Sequence, residues 1–130
     1  MTLIDDLKEL DTQEVSLWTT ACAYEYLIPC RGVGVLLADG SQVALFRLDD
    51  GSLRAVGNID PFSGAAVMSR GIVGDRGGRA TVQSPIKKQA FALDDGRCLD
   101  DPRVAVPVYP TRVSADGYVQ IGVGADGAWT

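Results

Sequence analysis

The sequence contains no histidine. That absence excludes imidazole base catalysis, His-ligated zinc, His-ligated haem and a His-ligated Rieske cluster. Cysteine is scarce: Cys22, Cys30 and Cys98 are the only three, and their spacings match no zinc or thiol-redox pattern such as C-x-x-C. Free, mostly buried thiols in a reducing compartment are the economical reading, against a Cys22–Cys30 disulfide. No apolar run approaches the roughly 20 residues that span a bilayer. The first six residues lack the basic start and apolar stretch of a secretory signal, so no membrane association and a cytoplasmic location are expected. Basic runs are absent beyond Lys87–Lys88, and the net charge is −5. Nucleic acid is not an expected ligand, because its binding rests on a basic surface that releases counterions.

What is present fits one ordinary domain. The chain has 130 residues, 46% hydrophobic and 22% charged, and a chain of this size removes roughly two-thirds of its unfolded surface from water. Residues 15–20 read as a first strand. Residues 32–38 and 42–48 are apolar runs joined by Asp39-Gly40, a two-residue hairpin signal because both positions tolerate positive φ. Residues 49–52 turn the chain into a strand at 53–57, and the Asp-Gly steps at 95–96 and 116–117 mark two more hairpins.

Val104, Val106 and Val108 alternate with their neighbours, as do Val119, Ile121 and Val123, which puts one face of each strand in the core. Pro107 and Pro110 place the first of these at a sheet edge, since proline donates nothing to a ladder. Residues 64–70 invite a helix of about two turns, counting 3.6 residues per turn. Leu3, Ile4, Leu7 and Leu10 give residues 1–14 the spacing of an arm or short helix, and residues 125–130 form a tail with little but Trp129 to hold it. The expected domain is therefore 15–124, all-β: a sandwich or partly open barrel of short antiparallel strands with at most one or two short helices.

The segments that carry an identity are Asn58-Ile-Asp60-Pro-Phe62-Ser-Gly-Ala, Ser69-Arg-Gly-Ile-Val-Gly-Asp75, Ser84-Pro-Ile-Lys87-Lys-Gln and Val106-Pro-Val-Tyr-Pro110. Their order resembles a Rieske domain, whose cluster loops read Cys-x-His and Cys-Pro-x-His. The resemblance places Asn58 and Asp60 at the first Cys and His positions, and Ser84 and Lys87 at the second pair. Asn, Asp, Ser and Lys supply neither thiolate nor imidazole, so no such cluster is expected on this chain, nor any other metal. A Rieske frame without ligands resembles the small subunit of assimilatory nitrite reductase, from about residue 18 to residue 123.

That resemblance implies a cytoplasmic complex that reduces nitrite to ammonium. It also implies a large-subunit partner carrying FAD, an iron–sulfur centre and sirohaem and using NAD(P)H. This chain would be its non-catalytic member, with the ligand-less tip loops as a docking surface. If the loops pack as in a Rieske domain, an Asp60–Lys87 ion pair, helped by Asn58 and Ser84, is one way to close the space a cluster would fill; the alternative is that Asp60 and Lys87 are both solvated turn residues. Phe62, Arg70, Arg76 and Lys88 are the candidate partner contacts. Trp18, Phe46, Phe62 and Phe91 read most simply as core or loop-packing residues, with Phe62 the one that would suit docking if exposed.

Rival readings are weaker. The glycines of residues 71–78 lack the Gly-Lys-Ser/Thr end of a phosphate loop, and turn geometry explains them. One aspartate beside a lysine is a poor calcium site. Cys98 has no base to activate it. A free-standing electron carrier would need ligands that are missing, and an independent enzyme would need a legible nucleophile–base pair. A generic interaction module on the same frame is the remaining alternative.

Overall fold

The computed structural model describes residues 15–124; the arm at 1–14 and the tail at 125–130 lie outside the described residues. The strands are β1 (Val15–Ala23), β2 (Gly32–Leu36), β3 (Gln42–Arg47), β4 (Leu53–Gly57) and β5 (Ile72–Arg76). They continue as β6 (Arg79–Gln83), β7 (Ala90–Ala92), β8 (Val108–Tyr109), β9 (Thr111–Val113) and β10 (Tyr118–Gly124). The helical content among the described residues is two short 3-10 turns, Tyr24–Tyr26 and Met68–Arg70. Antiparallel pairing gives three sheets, ordered β1-β10-β9, β2-β3-β4-β8 and β5-β6-β7. The fold is the expected all-β Rieske-like one.

The second of these sheets lies between two apolar cores. On β3, Val43 and Leu45 face one core with Val119, Ile121 and Val123 of β10; Ala44 and Phe46 face the other with Val82, Phe91 and Val106. A strand buried on both faces reads as an unbroken apolar run rather than an alternating one. The alternation at 119, 121 and 123 points all three side chains inward, as their pattern predicts.

The local differences from expectation have simple causes. Asp39-Gly40 does not make a two-residue hairpin. The Leu37 N–H donates to the Ser41 carbonyl and the Gly40 N–H to the Leu37 carbonyl, with Gly40 at φ +92, so the loop has a third residue. The same bonding closes the turns at Gly51 and Gly117. Asp39 and Asp50 accept the N–H two residues on, which steadies the extra residue. Around Pro107 the ladder holds only the two residues of β8, at the edge of its sheet. A hairpin that the glycine-rich stretch concealed is β5–β6, closed by Gly77 and Gly78, both at positive φ. All three cysteines are free; only Cys98 is buried, and Cys22 and Cys30 are half-buried.

Candidate functional site

Three segments meet at one end of the molecule: residues 58–66, the turn Met68–Arg70, and residues 84–89. The first leaves β4 and the last leaves β6. Register fixes their proximity, because Leu36 pairs with Gln42, whose carbonyl accepts the Asn58 N–H, while Ile72 pairs with Gln83. Gly71 lets the turn approach β6: a Cβ there would stand 2.6 Å from the Gln83 carbonyl oxygen.

The two ligand-position loops are tied by one contact. The Ser84 hydroxyl donates to Asp60 Oδ2 at 2.5 Å, with both residues fully buried. Asp60 Oδ1 accepts the Phe62 N–H at 2.8 Å. The Asp60 backbone closes its own loop through Ala65 and Gly64, and Ser84 Oγ accepts the Ile86 N–H at 3.3 Å. Burial pushes the Asp60 carboxyl up, but hydrogen bonds from Ser84, the Phe62 N–H and Ser63 outweigh it and hold the group below its ordinary value.

Asn58 is 7% exposed, and its Oδ1 accepts the Ser69 N–H at 2.7 Å. That bond fixes the amide orientation, so Nδ2 points elsewhere. Nδ2 has no partner among the described residues, and Asn58 lines an open cleft with Gly34, Val35, Leu36 and Gln42.

Of the two readings of Asp60 and Lys87, the ion pair is not formed, and the other holds for Lys87 alone, which is solvated. Asp60 is fully buried and its oxygens are met by neutral donors, whereas Lys87 is exposed and forms no ion pair among the described residues. An ammonium brought to that carboxylate would have to lose its water, and the hydroxyl and amide already present need no such step. Asn58 does not join Asp60 either; it secures the Met68–Arg70 turn. Phe62 is half-buried with its ring 6.2 Å from that of Phe91 and packs against the core. Arg76 is exposed but paired with Asp100 at 3.2 Å, on the far end of β5 from Ile72. Arg70 and Lys88 are exposed at the tip, Lys88 with φ +68. Sequence reasoning missed Ile59 and Ile86, which are 41% and 48% exposed. The signal was available, since each is a large apolar residue set among polar residues and a proline in a tip loop.

The residues do not fit an iron–sulfur cluster. The four positions offer an amide, a carboxylate, a hydroxyl and an ammonium, and the Asp60–Ser84 contact occupies the gap between the loops. The cysteines are elsewhere: Cys22 on β1, Cys30 beside Asp49 and Cys98 paired with Phe91. No group of metal-ligating side chains occurs among the described residues, and no described helix is long and apolar enough to cross a membrane.

Comparison with known proteins agrees with this frame. The Rieske-like [2Fe-2S] domain family matches residues 17–122. The nitrite reductase (NADH) small subunit of Escherichia coli K12 is 42% identical over 108 residues, covering 82% of this chain and 98% of that one. A crystal structure from Mycobacterium tuberculosis, described as an NADH-dependent nitrite reductase small subunit, superposes with a TM-score of 0.82 at 80% identity, covering 84% of this chain and 96% of that one. The nitrite reductase [NAD(P)H] large subunit of Klebsiella oxytoca contains a matching segment, 39% identical over 105 residues, that spans 81% of this chain and 11% of that protein.

Proposed function

The chain belongs to the Rieske-like family of nitrite reductase small subunits, and on that footing we propose that it serves as the non-catalytic small subunit of a cytoplasmic NAD(P)H-dependent nitrite reductase. It docks on a large subunit through its tip loops. FAD, the iron–sulfur centre and sirohaem belong to that large chain, which carries the reduction of nitrite to ammonium; this chain supplies surface and rigidity. The observation that carries the reading is the Asp60–Ser84 bond: it closes the tip of a Rieske-like frame without a cluster and holds two loops as one surface. The Klebsiella large subunit supports the partnership, since a segment like this chain is part of that polypeptide.

The test is nitrite-dependent NAD(P)H oxidation by the purified large subunit, with and without this chain, and iron analysis of this chain on the same sample. An iron-free chain that raises turnover or thermal stability of the large subunit is the expected result. Bound iron in this chain, or no effect on a well-folded large subunit, would overturn it.

A further inference from the structure

The tip has a charge character opposite to that of the chain. Arg70, Lys87 and Lys88 are exposed there and form no ion pair among the described residues; elsewhere Arg76, Arg79 and Arg103 are each paired with aspartates, while the remaining arginines form none among those residues. The carboxylate in the ligand-position loops, Asp60, is buried and turned toward Ser84 and Phe62. Three surface cations against the buried Asp60 and the exposed Asp39 of the adjoining β2–β3 hairpin leave this end net positive on a chain whose net charge is −5. Ile59 and Ile86 flank the Asp60–Ser84 contact in sequence, one residue before it and two after, and both are substantially exposed. An apolar centre with charge at its rim is the usual anatomy of a specific protein interface. Asn58 Nδ2 has no protein partner among the described residues and reaches solvent at the adjoining cleft.

We propose that this tip binds an acidic face of the large subunit, with Ile59 and Ile86 at its centre, Arg70, Lys87 and Lys88 against partner carboxylates, and Asn58 donating to a partner carbonyl or carboxylate. The partner's identity rests on the function proposed above; its chemistry rests on the charge of the tip. A cationic rim guides encounter and rejects basic surfaces, and its contribution falls as salt screens it.

The experiment measures binding of the full chain to the intact, cofactor-loaded large subunit at about 50 and about 300 mM salt, which span the range where the Debye length falls below roughly 10 Å. The test variant is Arg70→Glu/Lys87→Glu. The control is Arg31→Glu/Arg54→Glu, with the same change in net charge. Arg31 and Arg54 sit at the opposite end of the β2-β3-β4 sheet, where Gly32, Phe46 and Arg54 are in register. Thermal unfolding establishes that both variants are folded. The tip variant is expected to bind at least about tenfold more weakly at low salt and to lose most of its salt dependence, with the control within about twofold of the parent chain. If the parent chain binds and both variants weaken alike, or neither does, the assignment to the tip falls while the subunit reading stands. If the parent chain does not bind at all, the subunit reading itself fails.

Discussion

Two regions of this domain are held by different physics. The core between β3 and β10 includes Leu27, Val43, Leu45, Val119, Ile121 and Val123, all buried hydrocarbon. At the tip, three of the four buried polar residues among those described, Asn58, Asp60 and Ser84, lie in the loops that meet there. Apolar packing is tolerant of direction but sensitive to volume. Hydrogen bonds at short range fix direction, and an unmet buried donor is expensive. The β3–β10 core therefore sets stability, while the tip sets the shape of a surface.

The sharpest way to break that contrast is to excavate each region. Ile121 is fully buried between the β10 pairings, and Ile121→Ala should cost about 2–5 kcal/mol in global unfolding by urea. Large-subunit binding by the fraction that remains folded should be unchanged. At the tip, Asp60→Ala leaves the Ser84 hydroxyl and the Phe62 N–H without their acceptor, a loss of about 1–3 kcal/mol. Here the effect should be local: amide hydrogen exchange at Phe62 and Ile86 should speed up, and binding should weaken more than global stability does. The reverse pattern, with Ile121→Ala abolishing binding and Asp60→Ala neutral, would erase the distinction.

Acid sharpens the comparison without a cavity. The folded Asp60 carboxyl titrates below its ordinary value near 3.8, so the unfolded chain takes up a proton first as pH falls. Stability from this group is complete above the ordinary value and is lost as pH drops through the folded one. Asp60→Asn keeps the shape, and the Ser84 hydroxyl can turn a lone pair toward the new amide. That variant should be milder than Asp60→Ala and should flatten the acid limb of a stability–pH curve. An unchanged limb would mean that other carboxylates govern it.

Much of the frame was legible because it follows from backbone chemistry. The Asp-Gly turns and the inward face of β10 are written in period and turn residues. The four ligand positions rest on the resemblance of the tip segments to a Rieske domain. The side-chain partners at the tip were not legible. Charge alone suggests Asp60 with Lys87, whereas burial decides for Ser84, and burial is a three-dimensional property of residues distant in sequence. Phe62 packs against the core, the simpler of its two readings, but nothing local reveals that Phe91 stands behind it. The β5–β6 hairpin stayed hidden because Gly71, Gly74, Gly77 and Gly78 read together as loop, although only the last pair makes the turn.

The smallest expected effect marks the border between the two regions. Arg76 belongs to the β5–β6 hairpin that supports the tip, yet its guanidinium is paired with Asp100 and half exposed. Asp100 also accepts the Ala90 N–H at 2.8 Å, a bond that survives loss of the arginine. Arg76→Ala should therefore change stability by no more than about 1 kcal/mol, as for other exposed pairs, and should bind the large subunit like the parent chain. If Arg76→Ala instead weakens binding as far as Arg70→Glu/Lys87→Glu does, the interface runs the length of β5. The tip would then be one edge of a larger contact, and the sheet as well as its loops would carry recognition.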